Sequence, residues 1–280
     1  MKYTENPKPL GLGQLERKRL SELLRVTKTT ISVNEAAKIW DMTNQQAIKI
    51  LSLYQKKGWL KRIKHGLYIA VPIEMSPEAT VPEEPFAIAE KIFSPCYISG
   101  ANAANYWDLT EQLFQTITVM TTNKVMNQKP VIAGITYLLH TIKPEYFFGL
   151  KTVWFNEIKV KIADPSRMII DMMMYPQYCG GIRFIEDVLK AYFKSNHKDT
   201  DLLLSYLQKI TNGAAIKRLG FLIEKNVPEE TKLIEFCLNN LKQGYVLLSP
   251  SVDCPKIITR WRLKVPTSWK EWLNDKSKRN

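Results

Sequence analysis

Residues 32–71 read SVNEAAKIWDMTNQQAIKILSLYQKKGWLKRIKHGLYIAV, and the order of signals in this stretch decides the fold of the front of the chain. Ser32 and Glu35 have the spacing of a capping box, in which the Ser hydroxyl accepts from the Glu amide while the Glu carboxylate reaches back. A short helix is expected from there to about Trp40. Asp41-Met42 makes a turn, Thr43 offers the next N-cap, and a second helix should run to about Lys57, where Gly58 stops it. Two capped helices with so short a turn between them make a helix-turn-helix. Beyond Gly58, residues 59–63 and 67–71 read as two strands joined by Lys64-His65-Gly66, where Gly66 takes a positive φ at no steric cost. Upstream, residues 15–25 supply a first helix, with Leu20, Leu23 and Leu24 expected inward and Arg17, Lys18 and Arg19 outward. Three helices and then a hairpin describe a winged helix-turn-helix.

The second of the capped helices carries the chemistry. Ala47, Ile50, Leu51 and Tyr54 fall on one buried stripe, whereas Gln45, Lys49, Ser52 and Lys56 fall on the opposite face. Asn and Gln pair bidentately with adenine, and Lys reaches guanine or phosphate, so this face suits the major groove of double-stranded DNA. Residues near the start of a recognition helix enter deepest, which singles out Asn44, Gln45 and Lys49. Gln46 is weaker, because closing the capping box with Thr43 occupies its side chain. In the wing, Lys61, Arg62, Lys64 and His65 are expected along phosphates, giving position more than sequence readout. Set against this is a plainer reading, a basic helical domain that docks another protein.

The charge distribution agrees with a nucleic-acid partner. Of the net +13, residues 1–75 hold 14 Lys and Arg against 6 Asp and Glu, and residues 255–280 hold 8 against 2, so the middle is close to neutral. The first basic block coincides with the helix-turn-helix, the electrostatic footprint of a nucleic-acid binder. Cys96, Cys179, Cys237 and Cys254 lie far apart with no neighbouring histidine, which reads as buried thiols rather than a zinc site. With no apolar leader and no run of about eighteen apolar residues, a soluble cytoplasmic protein is expected.

Residues 72–85 contain four prolines and four glutamates and read as a linker, so the expected domains are 1–71 and 86–280. The overall fold class is α+β, a winged helix-turn-helix followed by a larger mixed domain. In that domain helices are expected at 86–93, 101–106, 182–193, 200–210, 214–224 and 231–240, and strands at 117–121, 131–139, 153–163 and 257–265. Asp164 caps a further helix, with Pro165 at its first position, and Arg167 and Asp171 are placed to pair across one turn. Trp261, Trp269 and Trp272 near the C-terminus are expected to pack onto this domain.

No enzyme is signalled. His65, His140 and His197 are isolated from each other and from every Cys, and no nucleophile elbow or phosphate-binding Gly-rich loop is present. Glu157-x-Lys159 resembles the end of a nuclease metal site, but strand alternation already explains it as a solvated face. Gly180-Gly181 reads as an ordinary start of a helix, and Asp199-x-Asp201 as a helix cap. No cofactor is expected.

The residues so assembled resemble the AbiEi family of antitoxins from AbiE-type, type IV toxin-antitoxin systems of bacteria. The resemblance rests on three sets of residues taken in order. The first is Lys64-His65-Gly66-Leu67-Tyr68 in the wing. The second is Tyr97-Ile98-Ser99-Gly100-Ala101-Asn102-Ala103-Ala104 with Leu109-Thr110-Glu111-Gln112. The third is Ile162-Ala163-Asp164-Pro165-Ser166-Arg167 through Ile170-Asp171. It implies a winged helix that represses the operon of the antitoxin and its toxin, and a second domain that counteracts a nucleotidyltransferase-like toxin in a phage-defence setting. The chain has no Gly-Ser motif followed by an acidic strand, as the toxin itself would have. The runner-up is a transcriptional regulator whose second domain senses a small ligand.

Overall fold

The structure, a computed structural model, describes residues 13–27, 30–64, 66–71, 85–132, 134–155 and 158–269. It is an α+β fold. In chain order the front of the molecule holds α1 (Gln14–Val26), β1 (Ile31–Ser32), α2 (Val33–Ile39), α3 (Asn44–Lys56), β2 (Leu60–Lys64), β3 (Leu67–Ala70) and α4 (Pro85–Phe93). Next come β4 (Cys96–Ile98), α5 (Gly100–Tyr106), β5 (Thr116–Thr121), β6 (Val131–Ile132), β7 (Ile135–Thr141), β8 (Leu150–Phe155) and β9 (Ile158–Ala163). The rest is mostly helical, with α6 (Pro165–Met174), α7 (Ile182–Lys194), α8 (Thr200–Lys209), α9 (Gly213–Asn226) and α10 (Thr231–Asn239) before β10 (Val246–Leu247), β11 (Lys256–Ile258) and β12 (Leu263–Val265).

The chain divides into two compact units, residues 1–92 with 131–136, and residues 93–130 with 137–280. The division falls after α4, which the sequence placed at the start of the second domain. Lys91 Nζ in α4 donates to the Thr30 carbonyl just before β1, tying that helix into the first unit. Of the expected linker, residues 72–85, all but Pro85, which opens α4, lie outside the described residues.

In the first unit β1, β3 and β2 form a three-stranded sheet in that order. Around it Leu20, Leu23, Ile31, Ala36, Ala47, Leu51, Tyr54, Trp59 and Leu60 make one buried core. The Tyr54 ring stands edge-on to Trp40 at 6.1 Å and tilted on Trp59 at 5.1 Å, so α3 is held from both sides. One inward assignment in α1 is corrected. Leu24 is 39% exposed, because α1 packs through Leu20 and Leu23 and a residue one step on turns about 100° away.

In the second unit the strands run β7-β5-β4-β9-β8 across a mixed sheet, with β4 parallel to β9 and antiparallel to β5. Three expected strands are each two. Residues 131–139 turn at Gly134, whose φ is +81°, giving β6 and β7. Residues 153–163 form part of the β8–β9 hairpin, in which Trp154 faces Lys159 and Val153 faces Val160. Residues 257–265 fold back as β11 and β12, with Arg262 at a φ of +50°. Alternating apolar residues on both sides of a short turn mimic one long strand in sequence.

Helix α6 is the centre of this unit, buried from Ser166 through Met174 and packed against α5, α7, α8 and α9. The C-terminal strands are clamped onto α9 from below. Arg218 donates to the Leu247 carbonyl (2.8 and 3.0 Å) and to Met173 at the end of α6 (2.7 Å), and Lys217 Nζ donates to the Gly244 carbonyl at 2.6 Å. With no carboxylate beside it, burial draws the Arg218 pKa down to about 10. The Trp261 ring abuts α9 at Gly220, where a Cβ would sit 2.1 Å from Cζ3, and its indole N–H donates to Glu224 at 2.6 Å. Trp261 and Trp269 are both buried, as the packing reading of the tail expected, and Trp272 lies outside the described residues.

Candidate nucleic-acid interface

Helix α3 is set by its caps. Thr43 Oγ1 accepts from the Gln46 amide at 3.4 Å, while Gln46 Oε1 accepts from the Thr43 amide at 3.0 Å and from its hydroxyl at 3.1 Å. Gln46 is thus committed to the cap. The box at Ser32 does the same for α2, with the Glu35 carboxylate 2.8 Å from the Ser32 amide. Between the helices Asp41 takes a φ of +48°, a left-handed conformation that Asp tolerates better than most residues and that reverses the chain in one step.

Two contacts, one of them from α1, fix the far end of α3. Lys57, the C-cap residue, pairs with Glu16 and lies 4.6 Å from the Trp59 ring centroid. Hydrogen bonds from Lys57 and then from the Gly13 amide hold the Glu16 carboxyl below the usual carboxylate range. Lys57 is therefore a structural cation, whereas its neighbour Lys56 is exposed. The Trp40 indole donates to the Arg19 carbonyl at 3.1 Å, locking α2 to α1 as well.

This leaves one polar face open. Asn44, Gln45, Lys49 and Lys56 are exposed, Ser52 is half-buried, and none of these five side chains has a hydrogen-bond or ion-pair partner among the described residues. Gln45, Lys49, Ser52 and Lys56 follow one another at helical spacing, and Asn44 stands beside them at the first turn. These side chains, of the types that can pair with bases, are thus held on a rigid backbone with their donors and acceptors unused. Beside this end of the helix lies a shallow depression of about 640 Å³ whose rim includes Asn34, Lys38, Asp41 and Asn44. Asn34 and Lys38 are exposed one helical turn apart on α2. Their spacing of four is visible in the sequence, in the same stretch as the capping box.

In the wing, β2 and β3 pair antiparallel from Leu60↔Ala70 to Lys64↔Leu67, with a register shift between Arg62 and Lys64. Gly66 has a φ of +76°, and its carbonyl accepts from the Val33 amide at 3.0 Å, which pins the tip of the wing to the start of α2. Lys61 and Arg62 are exposed. Lys64 closes β2, and His65 lies outside the described residues.

The second unit brings together residues that are distant in sequence. Tyr97 of β4 and Ser99, the N-cap of α5, both donate to Asp171 Oδ2, at 3.1 and 2.9 Å. Arg167 Nη2 lies 2.9 Å from Asp171 Oδ1 and donates to the Tyr97 hydroxyl at 2.9 Å. The Arg167 and Asp171 side chains are wholly buried, and Arg167 Nε and Nη1 have no partner. Burial alone would lower the Arg167 pKa, but Asp171 and Tyr97 outweigh it and raise it. Burial and then the Asp171 charge push the Tyr97 phenol well up. Asp164 caps α6 through the Arg167 amide at 2.8 Å and accepts from the Tyr206 hydroxyl at 2.7 Å. The expected Arg167–Asp171 pair is present, but as the middle of a buried network rather than a surface pair. Lys159 lies 5.0 Å from the Trp154 ring, and Glu157 is outside the described residues.

No protein-family model matches the sequence, and no curated protein matches it. Among solved structures the chain is similar to the Rv2827c protein from Mycobacterium tuberculosis, with a TM-score of 0.62 over 92% of this chain and 93% of that one, at 12% identity. The likeness is one of fold. It extends over both units, so the succession of a helical front and a larger mixed part is shared almost end to end. Separately, no helix among the described residues is long and apolar enough to cross a membrane.

Proposed function

We propose that this protein is a non-enzymatic antitoxin of a bacterial type IV toxin-antitoxin system, which also represses its own operon by binding promoter DNA through the winged helix. The observation that carries the DNA reading is the open face of α3. Asn44, Gln45 and Lys49 are exposed without internal partners on a helix whose caps and core contacts are otherwise fully used. Lys61, Arg62 and Lys64 of the wing are the phosphate contacts, and Ser52 and Lys56 extend the groove face.

The antitoxin half rests on the resemblance to the AbiEi family, supported by where its motifs fall. The segments beginning at Tyr97 and Ile162, which carry the resemblance, meet in the Tyr97–Ser99–Arg167–Asp171 network of the second unit. The partner is a nucleotidyltransferase-like toxin, and the setting is the cytoplasm. One observation favours a second reading, a regulator that senses a small ligand: Arg167 keeps two buried N–H groups without partners. Co-expression with the protein encoded beside it decides between them. Rescue of growth by the full chain or by residues 93–280 supports the antitoxin. A harmless neighbour, or no rescue, transfers support to the ligand-sensing repressor.

A further inference from the structure

Trp154 stands apart from the other tryptophans. It is 61% exposed, whereas Trp59, Trp261 and Trp269 are buried and Trp40 and Trp107 are half-buried. It sits on β8, the edge strand of its sheet, so no further strand covers it on that side. A large flat side chain left in water forfeits most of the apolar burial that makes Trp valuable in a core.

The surroundings of Trp154 are cationic. Side chains directly opposite in an antiparallel pair share a face, so Trp154 with Lys159 and Thr152 with Lys161 lie on one side of the hairpin. Lys159 Nζ is 5.0 Å from the Trp154 ring, and Lys161 Nζ is 4.9 Å from the ring of Phe147. Aromatic and basic groups therefore alternate across this face. Strands β8 and β9 carry three lysines and no acidic residue, and none of Lys151, Lys159 and Lys161 has an ion pair among the described residues. Lys159 and Lys161 are two residues apart, about 6.6 Å along a strand. That is close to the advance of two stacked nucleotides, at about 3.4 Å each.

We propose that this face of the β8–β9 hairpin is a stacking platform for single-stranded nucleic acid, in which Trp154 takes an unpaired base and Lys159 and Lys161 take phosphates two nucleotides apart. An exposed aromatic face binds any base, because every base has a π-face, and the adjacent cations track the backbone. Duplex DNA offers no free base face to Trp154. This surface is therefore separate from the groove helix and independent of it, and it adds a second nucleic-acid contact in the other unit.

The test uses the full chain carrying K49A and R62A, which weakens the contribution of the winged helix, and a fluorescein-labelled twelve-nucleotide oligo(U) read by anisotropy. Binding is expected at low salt. W154A should weaken it by about 5- to 150-fold, and W154F should retain most of it. K159A/K161A should flatten the dependence of log K on log salt by about 1.4, roughly 0.7 for each cation removed. Trp154 is exposed, so W154A should melt with the parent. No binding by the parent, equal binding by W154A, or an equal loss of duplex binding in W154A would each overturn the proposal. A loss of duplex binding in K49A and R62A alone bears only on the helix-turn-helix.

Discussion

Removing Asp171 should cost the second unit more than any surface change, and the structure sets the size of the effect. The carboxylate accepts from the Tyr97 and Ser99 hydroxyls and pairs with Arg167, with both charged side chains wholly buried. In D171A the guanidinium, which already has Nε and Nη1 unpartnered, keeps its charge with no counterion, and two hydroxyls lose their acceptor. Breaking a buried pair from one side costs about 3–5 kcal/mol, because the remaining charge stays desolvated. For a unit of about 180 residues that is a fall in melting temperature of roughly 6–20 °C. Differential scanning calorimetry of the full chain reads this on the transition of the second unit. R167M/D171L should recover part of the loss, since it removes the stranded charge but still leaves the Tyr97 and Ser99 hydroxyls without their acceptor. A shift in D171A below about 2 °C would refute the reasoning, because the pair would then have to be hydrated.

Two further effects follow from the same unit. G220A places a Cβ within 2.1 Å of the Trp261 ring and 2.7 Å of Cys237 Cβ. It should lower stability by about 1–3 kcal/mol in denaturant titration, the usual cost of overpacking, and an unchanged midpoint would mean that the C-terminal strands are not clamped to α9. His140 lies 3.8 Å from the Tyr175 ring and 5.2 Å from the Tyr178 ring, and burial lowers its pKa below 6.5 against the opposing pull of Asp171. A histidine with a depressed folded pKa contributes stability above its unfolded pKa and loses it as the pH falls, so melting should decline below about pH 6.5. That decline should be shallower in H140Q, and identical pH profiles for the two proteins would contradict it.

The front of the molecule was legible in sequence because its signals are local. Ser32 with Glu35, Thr43 with Gln46, and the glycines at 58 and 66 each act within a few residues, and together they fix three helix termini and the wing. The open face of α3 was legible for the same reason, since its buried and exposed stripes follow from helical period alone. Hairpins were harder. At 131–139 and 153–163 apolar residues continue on both sides of the turn, and only pairing shows that one strand is two. The polar network was legible in part: Arg167 and Asp171 are four apart, but their partners on β4 are some seventy residues away. The exposure of Trp154 depends on β8 being an edge, a property of strand order that no short window contains.

The division of labour on DNA is the most direct test of the account. Promoter DNA upstream of the gene, together with an unrelated duplex of equal length, is titrated with the full chain, K49A and R62A at several salt concentrations. K49A should lose about 1–3 kcal/mol of preference for the promoter at one base position, the worth of a good base contact. R62A should weaken both duplexes equally and reduce the salt slope by about 1. Binding of both variants with the parent's affinity, preference and salt slope would contradict the placing of α3 in the groove.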